Sequence, residues 1–197
     1  GVYNSQGKYE QALDYLQKSL SINITTLESD HLDVATSYNN IGSVYYSQGK
    51  YDDALDYYQK SLKITITAVG SDHLDVADSY LNIGLVYKSQ GRYEEALQEY
   101  EKCLKIQVDK LGHEHPAVAS CFLNIGRAYN RKGRNQEVVQ KFKAATAIRH
   151  NVIGPDHSLT LQAKWIGMMA AAAELLSRFS GSPSTVFVLL AALVAYC

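Results

Sequence analysis

The chain has 197 residues, enough for one domain or a short array of repeats with a real core. Charged residues make up 20% of it and apolar ones 46%, and the formal net charge of −1 excludes a global field that would draw it to nucleic acid or to a membrane surface. Three cysteines, at 103, 121 and 197, show no CxxC spacing and no even framework, which suits buried thiols in a reducing compartment and a cytoplasmic location. The charge is uneven along the chain. Residues 115–156 hold seven Lys and Arg against two Asp and Glu, whereas residues 73–114 hold five against eight.

In chain order, residues 1–30 predict the end of a first helix, a turn at Ser5-Gln6-Gly7-Lys8 and a second helix from Tyr9 to Thr26. Val2-Tyr3 aligns with Val44-Tyr45, so the chain opens in the middle of a motif and reads as a piece of a longer protein. Complete units follow at 31–72, 73–114 and 115–156, because a shift of 42 residues lays Tyr38-Asn39-Asn40-Ile41-Gly42 on Tyr80-Leu81-Asn82-Ile83-Gly84 and on Phe122-Leu123-Asn124-Ile125-Gly126. Each unit opens on a histidine, His31, His73 or His115, and His157 repeats the position. Acidic neighbours and Pro116 mark helix starts there, and Gly49, Gly91 and Gly133 mark the turn between two helices. Within a unit the apolar and small residues fall on one face of each helix, so a hairpin cannot bury its own face and must stack on its neighbours. The expected fold is all-α, a right-handed α-solenoid of antiparallel helix hairpins. Gly84 and Ala96 mark the place where the two helices of a hairpin touch.

The pattern Tyr38-x2-Ile41-Gly42-x2-Tyr45 with Ala54-x3-Tyr58, met again by Tyr80, Ile83, Gly84, Tyr87, Ala96 and Tyr100, resembles the tetratricopeptide repeat (TPR) signature. The third unit keeps Phe122, Ile125, Gly126, Tyr129 and Phe142 but carries Val138 in place of the alanine, and is more divergent. The 42-residue period and the opening Asp72-His73-Leu74-Asp75-Val76-Ala77 are similar to the repeats of kinesin light chains. Residues 157–197 read as a degenerate repeat or capping helix, WIGMMAAAAELL, followed by a break and the apolar tail Val186 to Cys197. That tail is too short to span a bilayer, which takes roughly 20 residues. It reads as a cap on the open end of the solenoid, as a truncated membrane segment, or as a stretch not native to the domain.

No residue set forms a catalytic site. The histidines lie on successive units about 10 Å apart, too far for one metal to bridge, and His113-Glu114-His115 completes no HExxH. Gly49-Lys50 runs into Tyr51 where a P-loop needs Ser or Thr, so no nucleotide and no other cofactor is expected. The tyrosines recur at fixed repeat positions and read as packing, not as a stacking platform for nucleic acid. By the resemblance, the first helix of each unit lines a concave groove and the asparagine before the Ile-Gly pair, here Asn40, Asn82 and Asn124, bonds the backbone of a bound peptide. On the same face lie Ser43, Leu85, Lys88, Arg127 and Arg131, with Leu81 and Leu123 completing an apolar floor beside a cationic end. The surface predicts a non-catalytic scaffold for protein partners that binds an extended, acidic peptide. Alternatives are the regulatory arm of a larger enzyme or signalling protein and a TPR scaffold tethered to a membrane through Val186–Cys197.

Overall fold

The computed structural model describes residues 2–27, 29–153, 160–161, 164–165, 167–169 and 171–172. Its helices are α1 (Val2–Thr26), α2 (Leu32–Ser47), α3 (Tyr51–Val69), α4 (Leu74–Ser89), α5 (Tyr93–Leu111), α6 (Pro116–Arg131) and α7 (Asn135–Ile153). The described residues contain no strand. The chain divides into two compact units, 1–106 and 107–197, with α5 running through the division. Consecutive helices pack on one another, α1 on α2, α2 on α3 and α3 on α4 in the first unit, and α6 on α7 in the second. This is the all-α arrangement of stacked helix hairpins that the repeat requires.

Each hairpin turn is closed in the same way. Gly49, Gly91 and Gly133 hold φ values of 75°, 77° and 70°, a left-handed conformation that lets the chain leave the first helix. The next residue then donates its N–H back to a tyrosine carbonyl five residues earlier: Lys50 to Tyr45 at 2.9 Å, Arg92 to Tyr87 at 2.9 Å and Arg134 to Tyr129 at 3.1 Å. The same basic side chains stack on the same tyrosine rings, 5.7, 4.4 and 4.9 Å from the centroids. Gly70 and Gly112, with φ of 88° and 82°, end the second helices of two repeats. At the other end of the first helices, Nδ1 of His31, His73 and His115 accepts the backbone N–H of Asp33, Asp75 and Ala117 at 3.1, 3.2 and 3.2 Å. These histidines are N-caps. His157 lies outside the described residues.

Inside each hairpin the helices approach closely enough to exclude a side chain. A Cβ added to Gly42, Gly84 or Gly126 would lie 2.9, 2.6 or 2.7 Å from a ring atom of Tyr58, Tyr100 or Phe142. Between hairpins of the first unit, Ala54, Tyr58, Ile83 and Val86 form a buried cluster covered by Tyr45, Tyr46, Tyr51 and Tyr87. In the second unit Val138 is fully buried beside Phe142, so the larger side chain is accommodated where the earlier repeats have alanine. Beyond α7, Gly167 faces the same ring residue, its added Cβ falling 3.1 Å from Phe142 Cβ. The tail Val186–Cys197 lies outside the described residues. Among the described residues no helix is long and apolar enough to cross a membrane.

One expected element differs. The turn at Ser5-Gln6-Gly7-Lys8 does not form, and α1 runs through it from Val2 to Thr26. A turn of this type is held by two helices packed against each other. Among the described residues α1 packs on α2 alone, and no second helix lies against its first residues to hold such a turn. The roughly 0.5–1 kcal/mol cost of a glycine inside a helix is then the smaller penalty.

Candidate peptide-binding surface

In the first unit, α2 and α4 lie side by side, and their polar side chains meet in pairs offset by 43 residues. Asn82 Nδ2 donates to Asn39 Oδ1 at 3.0 Å, and the hydroxyls of Tyr46 and Ser89 lie 3.0 Å apart. Asn82 is thus half-buried and committed through its N–H to a neighbouring helix, while Asn40 is exposed and does not line the space between them.

That space is a cleft of about 310 Å³ formed by three helices: Leu32, Ala35, Thr36 and Asn39 of α2, Ser61 and Thr65 of α3, and Asp75, Asp78, Ser79 and Asn82 of α4. The back wall is polar though buried, since Ser61 and Thr65 are each 4% exposed. Ser61 Oγ donates to Ala35 O at 2.8 Å, Thr65 Oγ1 to Ser61 O at 2.9 Å and Ser79 Oγ to Asp75 O at 3.0 Å. Partial burial raises the Asp78 carboxyl above its usual range, and the negative charge of Asp75 adds to the effect.

The remaining sequence-derived groove residues are distributed as follows. Ser43 is exposed on α2, with its hydroxyl 3.1 Å from that of Tyr58 and donating to Asn39 O at 3.1 Å. Leu81, Leu85 and Lys88 are half-buried on α4. In the second unit Asn124 is half-buried on α6, and Arg127 and Arg131, one turn apart, are exposed. Leu123 does not contribute to an open apolar floor, being 6% exposed and part of the second unit's core. Asp75, Asp78, Ser61 and Thr65 escaped sequence reasoning as a group because two helices, α3 and α4, bring them together. The available signal was position 36, which varies from Thr36 to Asp78 to Ser120 between copies.

Comparison with known proteins agrees with this architecture. A family model described as tetratricopeptide repeat matches residues 1–67, 43–107 and 75–151. A crystal structure of kinesin light chain repeats from Podosopora anserina, described as nearly identical and TPR-like, is 23% identical over 98% of this chain and 89% of that one, with a TM-score of 0.76. BtubC (BKLC) from P. vanneervenii is 20% identical over 98% and 73%, with a TM-score of 0.80. The N-terminal domain of stress-induced protein-1 from C. elegans is 18% identical over 68% and 95%, with a TM-score of 0.53. At these identities the likeness is one of fold. Comparison with curated protein sequences returned no match.

Proposed function

The chain belongs to the tetratricopeptide repeat family, and from that premise we propose that it is a non-catalytic cytoplasmic scaffold that holds an extended partner peptide on the first helices of its hairpins. Acidic motifs are favoured. The observation that carries this reading is the surface of α6, where Arg127 and Arg131 stand exposed one turn apart on a helix that contains no acidic residue. Two guanidinium groups at that spacing suit carboxylates, which accept paired hydrogen bonds from them. On the other unit's α4, Lys88 supplies a cation beside the apolar surface of Leu81 and Leu85, which suits an aliphatic or aromatic anchor next to an acidic residue. Asn40, Asn82, Asn124 and Ser43 supply amides and a hydroxyl able to meet a peptide backbone without reading its side chains.

The test is calorimetry of acidic peptides against Asn82→Ala, Lys88→Ala and Arg127→Ala. Each change is expected to weaken binding about two- to fivefold, the scale of a solvent-exposed polar contact. Equal affinity for all three variants and the parent chain removes the groove assignment.

A further inference from the structure

The cleft between α2, α3 and α4 has a chemistry opposite to that of α6. Three of its four hydroxyls, those of Ser61, Thr65 and Ser79, have committed their single hydrogen to a backbone carbonyl and offer lone pairs to a ligand, and Thr36 at the exposed rim is the fourth. Asp75 and Asp78 add acceptors that carry charge. The neighbouring charge that acts on Asp78 is another carboxylate, among the described residues no lysine or arginine lines the cleft, and the imidazole nearest Asp75 is that of His73, its Nδ1 3.4 Å from Asp75 Oδ2. Ser61 and Thr65 are buried, and buried acceptors gain from a donor that reaches them. A pocket dominated by acceptors is matched by a group that only donates, and lysine and arginine are the side chains of that kind.

Asn39 and Asn82 narrow the choice further. Their mutual bond uses one N–H and one carbonyl, leaving Asn39 with its Nδ2 donor and Asn82 with its Oδ1 acceptor at the cleft wall. A donor and an acceptor side by side are the complement of a peptide unit. At about 310 Å³ the cleft lies at the low end of the roughly 300–1,000 Å³ range of ligand pockets, room for one long side chain.

We propose that this cleft receives a lysine or arginine side chain of an extended partner peptide, with the adjoining peptide unit pairing with Asn39 and Asn82. The inference rests on the scaffold reading above but not on the acidic-motif preference of α6.

The experiment uses the full 15N-labelled chain and the capped pentapeptides acetyl-Ala-Leu-X-Leu-Ala-amide, with X as Lys, Arg, norleucine or Glu. The side-chain amide resonances of Asn39 and Asn82 report occupancy of the cleft. The Lys and Arg peptides are expected to shift both pairs and to bind about tenfold more tightly than the norleucine peptide. In Asp75→Asn/Asp78→Asn that advantage is expected to fall to about twofold or less, with the melting temperature of the variant confirming that it is folded. Equal binding of the norleucine peptide, a Lys advantage that survives the double substitution, or no shift with any peptide overturns the proposal. The Glu peptide titrated against Arg127→Ala/Arg131→Ala separates the two readings. Loss of its binding in that variant, with no Lys preference at the cleft, removes this inference and leaves the acidic-motif reading standing.

Discussion

Two kinds of glycine do different work in this chain, and substitution separates them. Gly84 is helical and its missing Cβ would fall 2.6 Å from the ring of Tyr100, a fully buried side chain that cannot step aside. Gly84→Ala is therefore expected to destabilise by about 1–3 kcal/mol in urea unfolding. In a Tyr100→Ala background most of that cost should vanish, which a double-mutant cycle measures. A Cβ added to Gly49 would meet nothing within 4 Å, but φ there is 75°, so Gly49→Ala costs about 1 kcal/mol through backbone strain alone, independent of Tyr58. Asp78 tests burial in another way. Its folded carboxyl titrates above the ordinary value of 3.8, so the fold binds the proton more tightly than the unfolded chain does. Stability from this group is then greatest at low pH and falls as pH rises from about 4 through the folded pKa. Asp78→Asn should raise the melting temperature at pH 7, and the gain should shrink toward zero below about pH 4. A gain that is the same at both pH values would show that charge is not its source.

At the scale of helices, the same repeat position meets different surroundings. Ile22 and Ile106 lie two repeats apart, yet Ile22 on α1 is 60% exposed and Ile106 on α5 is 8% exposed. Ile106→Ala should cost about 2–4 kcal/mol in urea unfolding and Ile22→Ala well under 1 kcal/mol, although sequence alone gives the two one role. Helix starts were legible, since His31, His73 and His115 recur at unit openings and cap α2, α4 and α6. The first turn was misread for a physical reason. Ser5-Gln6-Gly7-Lys8 repeats the letters of Ser47-Gln48-Gly49-Lys50, but the letters specify a turn only where Lys50 can stack on Tyr45 between two packed helices. Local sequence proposes such a break and packing decides it.

Across the whole chain, periodicity exposed the repeat, its glycines and its packing tyrosines, because those residues answer to neighbours at fixed spacing. The cleft was hidden for the converse reason. It depends on which hydroxyl hydrogens point to Ala35, Ser61 and Asp75 carbonyls, and on an Asn39–Asn82 pairing one residue out of step with the repeat. Repeats that stabilise one another by contact with neighbours should also be unevenly stable along the chain. α1 shows this most directly. Tyr15 and Ile22 are 73% and 60% exposed on it, whereas α4 keeps Val76, Ala77, Ile83 and Val86 buried between flanking helices. Opening α1 uncovers a single half-buried face, the one packed on α2, while opening α4 exposes the core of two hairpins. Native-state hydrogen exchange should therefore find the central amides of α1 less protected than those of α4 by roughly tenfold or more, about 1.4 kcal/mol in local opening free energy. Equal protection in the two helices would mean that this unit opens only as a whole, and that its stability is not apportioned by the burial of each helix.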